Sequence, residues 1–191
     1  MNTSTGMPVL LHQMIDEAAL RYPEAAAIRC DGAALSYENL ARQSNGLARM
    51  LIATGLQCQD RVAVLLAKGP NVPVAFYGVL ASGGVLVPID PKSPVEQVVR
   101  ILKETGATHL ISEPGKRKVV GKALAVCPVV AHVVGLEPDD DAPFRCIPWT
   151  SVFEEATDRP PTVSVIDLDP SYILHTSGST GTPKLILHTH R

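Results

Sequence analysis

Between residues 61 and 112 the chain alternates continuous apolar runs with amphipathic stretches, and this rhythm is its clearest structural signal. RVAVLLA (61–67), VLVPI (85–89) and THLIS (108–112) are apolar at both odd and even positions, which predicts strands buried on both faces of a sheet. Residues 71–82 and the stretch from Ser93-Pro94 to Thr105 lie between them and predict helices. Pro73 falls in the first turn of one, where a missing N–H is tolerated, and Gly106 closes the other. Strand, helix, strand, helix, strand in this order predicts an α/β fold with right-handed crossovers and a mostly parallel sheet flanked by helices.

Upstream, residues 8–21 predict an amphipathic helix with Val9, Leu10, Ile15, Ala18 and Ala19 near one stripe, ended by Tyr22-Pro23. AAAIRC and DGAALSY predict a hairpin turning at Asp31-Gly32. Ser36 is placed to cap a helix running to about Thr54, closed by Gly55, with Leu40, Leu47, Met50 and Leu51 inward. Beyond 115 the pattern loosens. GKRK opens a short helix, VCPVVAHVV supplies a strand, LEPDDDAPFRCIP reads as a polar surface loop and WTSVFEEA as a helical turn. TDRPPTVSVIDLDPS predicts an extended connector. Over 1–191 the expected organisation is therefore a βαβ sheet region at 8–134, a Pro-containing connector at 135–170, and a hairpin at 171–191 made of SYILHT and LILHTH.

Composition narrows the function classes. With 46% hydrophobic and 19% charged residues over 191 positions, one globular domain or slightly more is expected. A net charge of −2 gives no electrostatic footprint for nucleic acid or an anionic membrane, and no apolar run approaches the length that spans a bilayer. Cys30, Cys58, Cys127 and Cys146 lack metal-ligand spacing, and the N-terminus lacks the basic start of a secretory signal, so a cytoplasmic, reducing setting is the expectation. Asp139, Asp140 and Asp141 read as a solvated loop. His188 and His190 share one face of a strand but have no third ligand nearby in sequence, so no metal site is assigned. Lys68 and Asp90 stand at strand ends, where α/β folds place sites, although Asp90 before Pro91 suits a turn.

The chemistry concentrates in SGSTGTPK, residues 177–184, between the two strands of the hairpin. Gly178 and Gly181 permit a positive φ or a close backbone approach. Ser177, Ser179, Thr180 and Thr182 offer hydroxyls, and Lys184 offers a mobile cation. Donors spread over several oxygens, with one point charge, suit a polyphosphate. The kinase and GTPase phosphate loop does not fit. Pro183 stands where its second glycine belongs, Leu185 stands where its magnesium-holding hydroxyl belongs, and a strand-like run follows where that loop opens a helix.

TSGSTGTPK resembles the phosphate-loop signature of the adenylate-forming superfamily of acyl-CoA synthetases, aryl-acid ligases and nonribosomal peptide synthetase adenylation domains. LSYENLARQSNGLARML and ASGGVLVPIDPKSPVEQVVRIL are similar to two earlier segments of that family, in the same order and at similar spacing. The resemblance implies a large-domain N-terminal portion that ends after the phosphate loop. It implies ATP and Mg²⁺ as cofactors of the complete enzyme, a carboxylic acid substrate converted to an acyl-adenylate, and a thiol acceptor, either CoA or carrier-protein phosphopantetheine. Residue by residue it assigns Thr176, Ser177, Gly178, Ser179, Thr180, Gly181 and Lys184 to the β- and γ-phosphates, and His190 to support of the loop. KLILHTH resembles the variant found in aryl-acid members, and PIDPKSPVEQVVRILKETGATHLIS resembles reductase-type synthetases, which together suggest an aromatic or keto acid.

Leu185 departs from the glycine that most members carry after the lysine. The family's magnesium-holding glutamate, adenine-binding segment and terminal catalytic lysine have no counterpart here, so no catalytic residue is assigned and the isolated chain is expected not to adenylate. Two rival readings stay open: a nucleotide-binding module without chemistry, and a structural domain whose loop only imitates a phosphate site.

Overall fold

The computed structural model describes residues 10–176 and 184–191. The sheet region begins with β1 (Ala26–Cys30) and β2 (Ala33–Ser36), an antiparallel hairpin. Its turn residues Asp31 and Gly32 both take positive φ, 49° and 82°, the primed turn that the Asp-Gly pair favours. Before it lies α1 (Gln13–Arg21) and after it α2 (Tyr37–Ala53). Ser36 caps α2 as expected, its Oγ accepting the Asn39 N–H at 3.2 Å.

The main sheet follows the order β7-β6-β5-β3-β4-β8-β9. Its members are β3 (Arg61–Val64), β4 (Val85–Pro88), β5 (His109–Ile111), β6 (His132–Val134), β7 (Arg145–Ile147), β8 (Pro170–Thr176) and β9 (Lys184–Thr189). All neighbouring pairs are parallel except β8 and β9, which are antiparallel. The helices α3 (Asn71–Ala81), α4 (Val95–Thr105) and α5 (Arg117–Val126) supply the crossovers, and α6 (Trp149–Glu154) follows β7.

The strand period of two divides the core into two layers. On β3, Val62 and Val64 pack with Leu47 and Leu51 of α2 and Val74 and Val79 of α3. Ala63 and Leu65 face the other way, against Val98, Ile101 and Leu102 of α4 and Val120 and Leu124 of α5. These residues are almost wholly buried, and this burial on both sides is why the runs carry no polar alternation.

Three expectations are corrected. The first helix begins at Gln13, leaving residues 10–12 in a turn. Cys127 and Pro128 stop the apolar run before β6, which holds only three residues. The span 135–170 is not connector throughout. It contains β7, and α6 at the expected helical turn, with irregular stretches at 135–144 and 155–169. Phe144 and Trp149 explain the difference: both are buried, and the Trp149 indole donates to the Ser112 carbonyl at 3.0 Å, which ties α6 to the end of β5. Among the described residues no helix is long and apolar enough to cross a membrane.

Candidate functional site

β8 and β9 form a ribbon at one side of the sheet. β8 joins the parallel strands through Leu86 and Tyr172, and β9 pairs only with β8. The ribbon register runs from Pro170 opposite Thr189 to Thr176 opposite Lys184. Ser177, Gly178, Ser179, Thr180, Gly181, Thr182 and Pro183 lie outside the described residues. What the structure places is the two ends of that segment, held as a register pair at the tip of the ribbon.

That tip has a defined address. β8 runs parallel to β4, so its last residue stands at the carboxyl edge of the parallel strands. β3 and β4 deliver Lys68 and Asp90 to the same edge, where ligands of open α/β sheets bind. Lys184 is exposed on β9. Asp90 serves the turn expected of it: its Oδ1 accepts the Lys92 N–H at 2.8 Å and its carbonyl accepts the Ser93 N–H at 2.8 Å.

The base of the ribbon is fixed by side chains. Ser171 is fully buried, and its hydroxyl lies 2.7 Å from the Thr189 carbonyl and 3.1 Å from that of His188. Tyr172 stacks on His188 with ring centroids 4.5 Å apart, and Phe76 of α3 approaches Tyr172 at 6.4 Å. His190 is 6% exposed. Its Nδ1 accepts the Leu11 N–H at 3.3 Å, its backbone N–H donates to the Asp169 carbonyl at 3.3 Å, and its ring meets His12 edge-on at 6.0 Å. His190 therefore grips the N-terminal segment at the end of the ribbon opposite the Thr176–Lys184 tip.

Burial makes His12, His175 and His190 poor bases. Burial, reinforced by the neighbouring His190, lowers the His12 pKa to about 4. Burial also lowers His190, opposed by Asp169. His175, one residue before the tip, is lowered by burial, with Glu104 opposing and Arg100 assisting. Neither ring nitrogen of His175 has a hydrogen-bond partner, so it packs and does not bond. The contact of His190 with Leu11 was not legible in the sequence, because it joins positions 179 residues apart.

No group of three His, Cys, Asp or Glu side chains among the described residues is arranged to hold a metal. Asp139 pairs with Arg117 at 2.8 Å and accepts the Asp141 N–H at 3.2 Å, while His188 is occupied with Tyr172. The residues read for the loop are hydroxyls and a lysine, donors suited to phosphate oxygens rather than the carboxylates by which proteins usually hold magnesium.

A mostly parallel α/β sheet carrying an antiparallel ribbon that closes at its carboxyl edge, with a hydroxyl- and glycine-rich sequence between the two ribbon strands, defines the large-domain class of adenylate-forming proteins. Residues 15–191 match the family described as AMP-binding enzyme, and the chain belongs to it. It is 30% identical to malpinin synthetase of Mortierella alpina over 182 residues, covering 95% of this chain and 2% of that protein. It is also 32% identical to phosphinothricin tripeptide synthetase PhsC of Streptomyces viridochromogenes, over 95% of this chain and 15% of that one. Among solved structures, the inhibitor-bound N-terminal domain of FACL13 from Mycobacterium tuberculosis superposes with a TM-score of 0.80 at 26% identity, covering 95% of this chain and 44% of that one. The nonribosomal peptide synthetase FmoA3, in its α-methyl-L-serine-AMP-bound form, gives 0.76 at 30% identity, over 98% and 19%. The chain thus spans less than half the length of each of these relatives.

Proposed function

We propose that these 191 residues are the N-terminal portion of an ATP-dependent ligase that activates a carboxylic acid. A carboxylate oxygen of the substrate attacks the α-phosphorus of ATP. The new O–P bond gives the acyl-adenylate, the bond to the bridging α–β oxygen breaks, and pyrophosphate leaves. A thiol, of CoA or of a carrier protein's phosphopantetheine, then takes the acyl group and releases AMP. Activation is required because a free carboxylate is a poor electrophile.

In this reading Thr176, Ser177, Gly178, Ser179, Thr180, Gly181 and Lys184 hold the β- and γ-phosphates. Their donors face the oxygens on which charge builds as pyrophosphate departs, and one such preorganised donor is worth about 3 kcal/mol in kcat. His190 supports the loop at a distance, by anchoring the ribbon that carries it. Mg²⁺ would neutralise phosphate charge, held by the phosphates and by residues other than those described. The aryl-type KLILHTH run favours an aromatic or keto acid as substrate.

The observation that supports this reading most directly is the Thr176–Lys184 register pair, which closes the ribbon at the carboxyl edge of a sheet belonging to the AMP-binding family. The test is protection of Lys184 from an amine-reactive label by ATP, read by peptide mass spectrometry. Strong protection in the full polypeptide, lost in Ser179→Ala/Thr180→Ala, is expected. Equal labelling with and without ATP refutes the phosphate assignment. The 191-residue chain alone is expected to give no ATP–pyrophosphate exchange, and exchange above background refutes its dependence on further sequence.

A further inference from the structure

A cleft of about 350 Å³ lies between α1, α2 and the irregular stretch after α6. Ala19 and Leu20 of α1, Pro23, Ala41 of α2 and Pro160 give it apolar walls. The wall after α6 is held in place by bonds to α2. The Thr157 N–H donates to the Arg42 carbonyl at 3.1 Å, Asn45 Nδ2 donates to the Thr157 carbonyl at 3.3 Å, and Arg49 Nε donates to the Arg159 carbonyl at 3.0 Å. The cleft is thus formed without a ligand, and its volume is that of a small-molecule site.

The polar groups of the cleft are unevenly engaged. Arg42 pairs with Asp158, Nε to Oδ1 at 3.3 Å. Asp16 and Glu38 also line the cleft, and among the described residues neither carboxylate is in an ion pair or a side-chain hydrogen bond. Arg21, the basic residue of α1, is taken by Glu17. Burial raises the Asp16 carboxyl above its ordinary range. Asn45 supplies an independent sign. It lines the cleft at 4% exposure with its Nδ2 bonded, while its Oδ1 accepts no hydrogen bond among the described residues. Buried side-chain acceptors are normally paired, so one that no protein donor reaches is a place for the N–H of a ligand.

We infer that this cleft binds a small organic cation, a primary alkylammonium whose N–H groups donate to Asp16, Glu38 and Asn45 Oδ1 while its apolar stem lies along Ala19, Leu20, Pro23 and Pro160. An ammonium has three donors and no acceptor, which matches three acceptors with no free donor between them. The stem supplies affinity in proportion to the apolar area it covers. The two carboxylates select the sign of charge, and Asn45 selects an ammonium that carries hydrogens. The inference stands without the phosphate-loop reading, since no residue of the loop takes part and no nucleotide is required.

Isothermal titration calorimetry of the full polypeptide without nucleotide tests it, with hexylammonium, butylammonium, hexyltrimethylammonium and hexanoate as probes. Hexylammonium is expected to bind one to one, and butylammonium roughly tenfold more weakly for the methylenes it lacks. Hexyltrimethylammonium has no N–H and is expected to bind roughly tenfold more weakly as well, and hexanoate not at all. Asp16→Asn/Glu38→Gln is expected to weaken hexylammonium by roughly tenfold or more. Asp16 is half-buried and Glu38 exposed, so this near-isosteric variant is expected to keep the fold, as checked by circular dichroism. Should it unfold, Leu20→Lys decides: the position is 86% exposed on the cleft wall, and a fixed ammonium there is expected to compete with the ligand. No binding of hexylammonium overturns the inference. So does hexanoate or hexyltrimethylammonium binding as tightly as hexylammonium, or full hexylammonium affinity in the deciding variant.

Discussion

His190→Ala tests how the ribbon is held. Two effects add in this variant. The Leu11 N–H loses its acceptor, and a partly buried donor left unpaired costs about 1–3 kcal/mol. The ring is 6% exposed, so its removal also forfeits packing against His12, worth about 1–2 kcal/mol by the area of ring carbon lost. The expected loss is therefore about 2–4 kcal/mol, and at 2–4 °C per kcal/mol for a chain of this size the melting temperature falls by roughly 5–15 °C. His190→Asn separates the two effects. Its side-chain oxygen can occupy the position of Nδ1 and accept the Leu11 N–H, so it is expected to recover about half of the loss. Urea unfolding measures the energies, and amide hydrogen exchange locates them, with faster exchange in β9 and at Leu11 and little change in β3–β5. Wild-type stability in His190→Ala, or exchange that rises uniformly across the sheet, would refute the idea that this residue is a local anchor.

Three further outcomes follow from the geometry. Gly135 has φ +94°, and a Cβ there would lie 1.9 Å from the Ser112 carbonyl oxygen and 2.5 Å from Trp149 Nε1. Gly135→Ala therefore costs about 4 kcal/mol or more in urea unfolding, whereas Gly121→Ala, with open space in mid-α5, stabilises by about 0.5–1 kcal/mol. Burial, with help from the adjacent His132, lowers the His109 pKa to about 4 from 6.5. The unfolded chain then binds more protons between these values, so stability is full above pH 6.5 and falls towards pH 4, by about 3 kcal/mol for this group; His109→Gln should flatten the urea-midpoint profile against pH. Finally, Leu185, Ile186 and Leu187 are 41, 42 and 55% exposed on an edge strand, so the isolated chain is expected to self-associate by light scattering, and Ile186→Lys/Leu187→Lys to become monomeric.

What could be read from the sequence depended on how local the physics was. β3, β4 and β5 were legible because a strand buried on both faces must be apolar throughout, and Ser36 and Asp31-Gly32 were legible because caps and tight turns are decided within four residues. β7 was hidden: it has three residues, follows an acidic stretch, and owes its place to pairing with β6 and to burial of the neighbouring Phe144. The strand order, with β3 central between β5 and β4, depends on crossover packing that periodicity does not encode. The stacking of His109 on His132 at 5.3 Å is likewise a product of parallel register. The site divides in the same way. Its residue types were legible as chemistry, whereas the anchoring of the ribbon by His190 became visible only once the chain had folded back on residue 11.

The topology gives that anchoring a consequence for the site. A loop that must meet a polyphosphate needs a rigid base and a tip free to approach the ligand. Here the base is held on three sides: Ser171 bonds across the ribbon, Tyr172 stacks on His188 and meets the tilted ring of Phe76 from α3, and His190 grips the N-terminal segment. At its other end the described ribbon closes with the Thr176–Lys184 register pair. The ribbon reaches the carboxyl edge at that pair, where β3 and β4 also present Lys68 and Lys92. An arrangement selected only for stability would have no reason to gather Lys68 and Lys92 at one edge, because like charges brought together oppose folding.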